Sequence, residues 1–386
     1  MKIRAFAASD RNNYGDLIFP LVIKKYFEKN AEYFEFLNYG IIKSDLSYFG
    51  ALPTKSFNQL INSVRRDKEK SIIIIAGGEV LGSNWLNIYR FINTFFNKLY
   101  HNKYTSSFLK KTNLLERLNL KRFGSSVPFI LDGKYFSNSK IIYSSVGALA
   151  IEELLKKDGY ISYFKNVNIL SVRDNVSHSF FENAGISASL IPDSALLMSD
   201  LFSNELQSVS DKCKSVGSKK YLFLQLGNTK GPDDLDLFVE NLKKFSKKHS
   251  LEIVLCPIGL ALDHSDNILL KKIVEEYPNV FKYYEPQTIF EIMYLLKNAS
   301  LYLGTSLHGF ITSQSFNVPF FIFPQKIQKL KFYIDTWFDN AAEKYGEFED
   351  FYKVERLYLN YNFELEKQNT DKHKELIKKN LSSFIL

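Results

Sequence analysis

The chain has 386 residues, of which 45% are hydrophobic and 24% charged, with a formal net charge of +8. This length is enough for two domains with sizeable cores. Its two cysteines, Cys213 and Cys256, are too few for a disulfide framework or a cysteine-based zinc site. No run of about eighteen apolar residues occurs, and the opening residues indicate a strand and not a signal peptide. We therefore expect a soluble, cytoplasmic protein.

Apolar runs alternate with amphipathic segments along the whole chain, which is typical of an α/β protein with parallel sheets. The predicted strands are 2–7, 71–76, 141–146, 167–172 and 189–191 in the first half, and 221–226, 251–257, 280–283, 301–303 and 320–323 in the second. The predicted helices include 17–29, 176–184, one that starts at a capping box of Thr288 and Glu291, and a closing helix over 371–386.

The polar stretch 203–220 is rich in Ser and Lys and is the predicted linker. It separates an N-terminal α/β domain, 1–204, from a C-terminal α/β domain, 205–386, which ends in the closing helix. Two Rossmann-like domains of this kind create a deep interdomain cleft between the carboxyl ends of their sheets. Ligands of such folds bind there.

A basic helical insertion at about 90–125 is predicted in the first domain. Between Lys98 and Arg122, seven Lys and Arg residues stand against one acidic residue, and aromatic residues lie among them. The segment 98–122 suits an anionic surface, such as the inner face of a membrane or a lipid-linked pyrophosphate. The alternative is an ordinary solvated insertion. No nucleic-acid motif accompanies the charge, so no nucleic-acid partner is expected.

Small and polar residues follow the first two long strands. Asn13, Gly15 and Asp16 come after the opening strand, and Gly77 and Gly78 come directly after the apolar run 72–76. Glycines let a ligand approach the backbone closely, and Asp16 can cap the helix that follows. Ordinary helix capping and a tight turn are the alternatives.

The segment 301–320 contains a strand, a small-residue loop and a short helix. This arrangement is a natural anion site, because the first N–H groups of a helix have no carbonyl partner and the dipole end is positive. His308, which we expect in the loop, can pass a proton to a bound anion. Arg173 follows another strand, and its guanidinium can grip a carboxylate or phosphate, or simply form a surface pair with Asp174.

Five segments, taken in chain order, resemble the polysaccharide pyruvyl transferase family. They are Asn13-x-Gly-Asp16, Gly77-Gly78, Ser171-Val-Arg-Asp174, Asp193-x-Ala195, and Ser306-Leu-His308 followed by Pro319. The resemblance implies a glycosyltransferase-B-like fold with the site in the cleft. It also implies an enzyme that moves the enolpyruvyl group of phosphoenolpyruvate onto two hydroxyls of a sugar, forming a cyclic ketal. The implied acceptor is a surface polysaccharide or its lipid-linked precursor.

The resemblance also assigns roles to residues. His308 is the implied acid, or it polarises the donor at the phosphate. Glu79 departs from the family pattern, in which a third glycine often follows the pair, and it is either a candidate base for the acceptor hydroxyl or a structural variant. The implied donor-binding residues are Arg173, Thr305, Ser306 and Gly309. The residues implied for the acceptor or the cleft are Asn13, Gly15, Asp16, Gly77 and Gly78. This scheme needs neither a metal nor a cofactor, because phosphoenolpyruvate is a co-substrate.

One departure from the family pattern concerns the donor. Many members carry an arginine two residues before the histidine, where this chain has Ser306. Lys230 and Lys326 are candidates for the missing positive charge. Two other interpretations stay open: a nucleotide-sugar-dependent glycosyltransferase or other sugar-modifying transferase on the same fold, and a non-catalytic glycan-binding protein.

Overall fold

The computed structural model describes residues 1–67, 69–123, 127–157, 159–263, 265–325 and 327–385. The chain forms two compact units. The first unit is Met1–Ser194 with Ala261–Asp263 and Leu376–Leu386, and the second is Ala195–Leu260 with His264–Glu375. The division between Ser194 and Ala195 lies earlier than the predicted one at 204/205. The end of the closing helix belongs to the first unit and not to the second.

The first unit is built on a six-stranded parallel sheet. Its strands are β1 (Lys2–Phe6), β2 (Glu35–Tyr39), β3 (Ser71–Ala76), β4 (Ser139–Val146), β5 (Ile169–Val172) and β6 (Ser189–Leu190), in the order β2-β1-β3-β4-β5-β6. All six residues of β3 are buried, as expected for a central strand covered on both faces.

Nine helices lie wholly within the described part of the first unit. They are α1 (Tyr14–Asn30), α2 (Phe57–Arg66), α3 (Trp85–Arg90), α4 (Thr94–His101), α5 (Lys103–Thr112), α6 (Leu114–Phe123), α7 (Glu152–Leu155), α8 (Tyr160–Phe164) and α9 (Asn175–Asn183). Helices α4 to α6 confirm the predicted helical insertion. The core on one face of the sheet is aromatic: Phe6 stacks on Phe57 and Phe129, with ring centroids 4.9 and 4.6 Å apart.

The second unit contains a five-stranded parallel sheet. Its strands are β7 (Tyr221–Gln225), β8 (Glu252–Leu255), β9 (Lys282–Tyr283), β10 (Leu301–Gly304) and β11 (Phe320–Ile322), in the order β11-β10-β7-β8-β9. The three central strands β10, β7 and β8 therefore end side by side, and the loops that follow them share one edge of the sheet.

Ten helices follow the first unit's nine along the described chain. They are α10 (Met198–Leu201), α11 (Ser203–Gln207), α12 (Asp211–Gly217), α13 (Leu235–His249), α14 (Asp266–Glu276), α15 (Ile289–Asn298), α16 (Leu307–Ser315), α17 (Gln328–Trp337), α18 (Phe351–Leu359) and α19 (Phe363–Ser382). In the ranges that the structure describes, no helix is both long enough and apolar enough to span a membrane.

The predicted α/β class with two Rossmann-like parallel sheets is confirmed, and each predicted strand overlaps an observed one. The prediction missed β2, an edge strand in which only Asn38 and Tyr39 are buried. An edge strand of this kind lacks the continuous apolar run that marks the central strands. The closing helix also begins earlier than predicted, at Phe363.

The predicted linker 203–220 is wrong, because most of it is helical. It contains α11 and α12, and Leu206 and Cys213 are buried. Ser210, which favoured a loop assignment, is the N-cap of α12 and accepts a hydrogen bond from the N–H of Cys213 at 3.2 Å. Serine is common in both loops and helix caps, so its presence alone did not distinguish them.

The predicted capping box at Thr288 is half correct. The Thr288 hydroxyl accepts from the N–H of Glu291 at 3.3 Å, as predicted. The Glu291 carboxylate, however, accepts from the N–H of Gln287 at 2.8 Å and from the hydroxyl of Ser210. The carboxylate thus connects α15 to α12.

Replacing Leu206 with alanine tests whether the 203–220 segment is packed. A linker residue would tolerate the change, whereas removing a buried leucine side chain costs about 2–5 kcal/mol. We expect Leu206→Ala to lower the urea midpoint of the second unit clearly. Leu237→Ala is the control, because that side chain is 42% exposed in the same unit. Equal midpoints for both variants would contradict the packed arrangement.

Candidate functional site

The Gly77–Gly78 turn after β3 packs directly against α1. Both glycines have positive φ, +51° and +74°. A Cβ at Gly77 would lie 2.1 Å from the ring of Phe19, and one at Gly78 would lie 3.3 Å from Oδ1 of Asp16. The space beside Gly77 is therefore filled by the protein's own ring, so this glycine is explained by the turn and its packing.

Asn13 and Asp16 lie together at the carboxyl end of β1. The Asn13 amide donates to Oδ2 of Asp16 at 2.7 Å, and both side chains are half-buried. Asn13 occupies the N-cap position of α1, while Asp16 lies within the first turn, so the prediction that Asp16 caps the helix is corrected. Gly15 is buried in the same turn. Asp16 thus lies close to both Asn13 and Gly78, and the acceptor or cleft role of these residues stays a prediction.

Arg173 lies between two carboxylates. Its Nη1 donates to Oδ2 of Asp193 and its Nη2 to Oε2 of Glu79, each at 3.0 Å. The Arg173 and Asp193 side chains are 2% and 0% exposed, and that of Glu79 is 26% exposed. Burial alone would lower the pKa of Arg173, but the charges of Glu79 and Asp193 outweigh this effect and raise it.

This ion-paired cluster connects the loops that follow β3, β4, β5 and β6. Oε1 of Glu79 accepts from the N–H of Leu149 at 2.7 Å. A Cβ at Gly147 would lie 2.3 Å from Oε2 of Glu79 and 2.7 Å from Nη2 of Arg173, so a side chain there would displace the ion pair. The geometry therefore favours a loop-holding role for Arg173 and Glu79. The predicted donor contact of Arg173 and the predicted basic role of Glu79 stay predictions.

In the second unit, the loop after β10 leads directly into α16. Ser306 is the N-cap of this helix, and its hydroxyl accepts from the N–H of Gly309 at 3.3 Å. His308 is the second residue of the helix and is 8% exposed, so its expected place in a loop is corrected. The short helix predicted there is confirmed. His308 thus lies in the helix's first turn, beside its positive dipole end.

Thr305 ties this loop to the neighbouring strand β7. Its N–H donates to the backbone oxygen of Gln225 at 3.2 Å and to the side-chain Oε1 at 3.1 Å. Its hydroxyl accepts from the N–H of Gly227 at 2.9 Å. The hydroxyl and N–H of Thr305 therefore hold the loops after β7 and β10 together, and its donor-binding role stays a prediction.

The sequence did not identify Tyr302, whose hydroxyl lies under the start of α16. A Cβ at Gly304 or Gly309 would lie 2.3 or 2.4 Å from this hydroxyl. The hydroxyl donates to the backbone oxygen of Ser306 at 3.3 Å. Burial raises the pKa of Tyr302, so it stays neutral. Gly309 therefore lets helix α16 approach the Tyr302 ring closely. Nothing in the sequence indicated this contact, because Tyr302 stands in an ordinary apolar strand run.

Asp266 holds the same edge of the second sheet together. Its Oδ2 accepts from Nε2 of Gln225 at 2.8 Å and from the N–H groups of Ile258 and Gly259 at 3.1 and 2.8 Å. Burial raises the pKa of Asp266 to about 6 despite these bonds. Asp266 thus holds the loop after β8 against β7. Lys230 lies in the loop after β7, whereas Lys326 lies outside the described residues.

Solved structures with the same fold are distant in sequence. The UDP-GlcNAc 2-epimerase from Methanocaldococcus jannaschii is 11% identical, with a TM-score of 0.56 and coverage of 94% of each chain. The UDP-GlcNAc 2-epimerase from Neisseria meningitidis bound to UDP-GlcNAc is 10% identical, with a TM-score of 0.56 and coverage of 100% of this chain and 99% of that one. These similarities define a protein of glycosyltransferase-B-like fold. No curated protein sequence matches the chain.

The sequence places the chain within a particular family. The family model of polysaccharide pyruvyl transferase matches residues 13–326. The chain belongs to this family and is a transferase. The match covers all five segments that carried the resemblance, including the start of α16 with His308.

The two carboxylates that pair with Arg173 should differ in their effect on stability. Asp193→Asn leaves a buried guanidinium short of charge compensation, and breaking a buried pair costs about 3–5 kcal/mol. Glu79→Gln should cost less, because water reaches the Glu79 side chain. We would measure urea unfolding by fluorescence in a Trp337→Phe background, in which Trp85 reports on the first unit. A midpoint for Asp193→Asn equal to that of the parent would contradict this role of the cluster.

Proposed function

We propose that the protein transfers the enolpyruvyl group of phosphoenolpyruvate onto a sugar of a surface polysaccharide or its lipid-linked precursor. The product is a pyruvate ketal. The observation that carries the proposal is His308 in the first turn of α16, at the carboxyl end of a central strand, within a family-matched region. Membership of the family supports the reaction class, and the helix start supports binding of an anionic donor.

His308 supplies the acid that this chemistry needs. A proton is added to the methylene carbon of phosphoenolpyruvate, and a sugar hydroxyl attacks the cationic carbon that results. Loss of inorganic phosphate regenerates a cationic carbon, and the second hydroxyl closes the ketal ring. A well-placed general acid contributes about 10²–10⁴-fold to such a step. The positive end of α16 stabilises the departing phosphate.

The acceptor side of the proposal rests on the first unit. Asn13 and Asp16 present an amide and a carboxylate at the carboxyl end of β1, and these groups are suited to hydrogen bonds with sugar hydroxyls. Glu79 is a less suitable base, because both of its oxygens already accept hydrogen bonds. We therefore assign acceptor binding to Asn13 and Asp16.

A second candidate function is a nucleotide-sugar-dependent transferase. Two observations favour it. Ser306 stands where many family members carry arginine, and a structural neighbour is described as bound to UDP-GlcNAc. Thermal shift distinguishes the two donors: a ligand at about 100 times its Kd stabilises by roughly 2.7 kcal/mol. Phosphoenolpyruvate should do so under the leading proposal, and UDP under the second.

Replacing His308 tests the leading proposal directly. We expect His308→Ala to lower turnover by about 100-fold or more, because the acid is lost. Phosphate release from phosphoenolpyruvate would be followed with a panel of lipid-linked and aryl glycosides, with a product mass gain of one pyruvate less one water. His178→Ala is the control, a half-buried histidine of α9. Near-normal product formation by His308→Ala would refute the assignment.

We further propose that the insertion 98–122 contacts the inner face of a membrane that holds the acceptor. Tyr104 and Phe108 lie one turn apart on α5 and are 86% and 60% exposed. Leu114 and Leu118 are similarly spaced on α6 and are also exposed. Exposed apolar side chains next to lysines are typical of helices that lie at a membrane surface.

Neutralising the lysines of α5 tests this contact. Each basic residue near an anionic surface contributes about 1 kcal/mol. We expect Lys103→Gln, Lys110→Gln and Lys111→Gln together to weaken binding to phosphatidylserine vesicles by about 100-fold at low salt. The matched control neutralises three exposed lysines of α13: Lys243, Lys244 and Lys247. Equal binding by the two triple variants would exclude a membrane role for α5.

A further inference from the structure

We propose that Lys230 binds a phosphate group of the donor at the carboxyl edge of β7 and β10. This inference rests on the proposed function for the identity of that donor, phosphoenolpyruvate. The shared chemistry is a phosphate ester, so a nucleoside diphosphate is the other source of the same group. Lys230 lies outside the five segments that carry the family resemblance.

The first argument is the position of the Lys230 stem. Residues 227–230 form a tight turn after β7, in which the N–H of Lys230 donates to the oxygen of Gly227 at 2.8 Å. The methylene chain folds back over this glycine: a Cβ at Gly227 would lie 2.9 Å from Cδ of Lys230. The N–H of the same glycine binds the hydroxyl of Thr305 at 2.9 Å. The lysine stem therefore lies over the junction that connects the β7 loop to the start of α16.

The second argument is the charge of the Lys230 amine. The side chain is half-buried, and within the described ranges no carboxylate forms an ion pair with it. Burial lowers the pKa of Lys230, and the charge of Asp266 opposes this effect. An ammonium group in such a place is disfavoured until an anion arrives. A bound phosphate would supply that anion.

The Asp266 carboxylate forms no ion pair with Lys230 among the described residues. Its Oδ2 already accepts three hydrogen bonds, from Gln225, Ile258 and Gly259. Its buried carboxylate is therefore occupied in holding the β8 loop in place. Among the described residues, the Lys230 amine thus has no ion-pair partner, and it belongs to a loop joined to a helix start that also favours an anion. A phosphate bound by both groups would lie next to His308.

Binding measurements on four variants test the site. We would measure the Kd of phosphoenolpyruvate, inorganic phosphate and UDP by calorimetry for the full chain and for Lys230→Met, Lys230→Arg and Gly227→Ala. A lost charge-assisted bond corresponds to about a 10–100-fold weaker Kd for phosphoenolpyruvate in Lys230→Met. Lys230→Arg should stay close to the parent. Lys272→Met is the matched control, since that lysine is exposed on α14 and pairs with Glu276.

Gly227→Ala supplies a test that keeps the charge. The added Cβ displaces the flexible Lys230 stem and leaves the backbone N–H in place, so the fold should tolerate it. We expect a weaker Kd for phosphoenolpyruvate and a higher KM, with kcat changed much less. If Lys230→Met fails to fold, the Kd of Gly227→Ala for phosphoenolpyruvate still tests phosphate binding by Lys230.

The outcomes separate this inference from the proposed function. An unchanged Kd for phosphoenolpyruvate in Lys230→Met and Gly227→Ala, with activity retained, would overturn the site and leave the pyruvyl transfer standing. Binding of UDP alone, weakened by Lys230→Met, would support the phosphate site and overturn phosphoenolpyruvate as the donor. Failure of the parent chain to bind any of the three ligands would overturn the site.

Discussion

The carboxyl edge of the first sheet depends on the buried guanidinium of Arg173. Taking this charge out of water is costly, and two carboxylates placed on opposite sides of it offset the cost. Because Glu79 follows β3 and Asp193 follows β6, the same pairing fixes the loops of non-adjacent strands. A hydrophobic contact would leave these loops free to shift, whereas directional ion pairs specify a single arrangement. The Gly77–Gly78 turn, immediately before Glu79, is thereby held against α1.

The corresponding edge of the second sheet is organised by neutral groups. Tyr302, Gln225 and Thr305 connect β7 to β10 through hydrogen bonds that carry no net charge. Asp266 is buried, but its carboxylate is bound to an amide and two peptide N–H groups. The hydrogen bonds that hold this edge together therefore do not neutralise its two positive features, the Lys230 amine and the dipole of α16. This difference supports the proposal that the anionic donor binds in the second unit and not at Arg173.

Much of the fold could be predicted from the sequence, because central parallel strands such as 71–76 are continuous apolar runs. Parts of the site could be predicted where small residues indicate a turn, as at Gly77 and Gly78. Contacts between residues far apart in sequence could not: nothing local indicates that Glu79 pairs with Arg173, or that Tyr302 fills the space beside Gly309. The serines at 203–220 led to the wrong prediction of a linker, because serine is common both at helix N-caps and in loops.

The structure explains what a serine does at position 306. As the N-cap of α16 it satisfies the N–H of Gly309, and a small side chain there leaves room in front of the first turn. An arginine at this position would bring its own charge to the helix start. With serine, we propose that the charge comes from the neighbouring β7 loop, whose turn places the stem of Lys230 over the Gly227–Thr305 junction. Charge supplied from the β7 loop would reach a phosphate without occupying the space beside His308, so that the proposed acid would approach the donor from α16 and the proposed cation from the β7 loop.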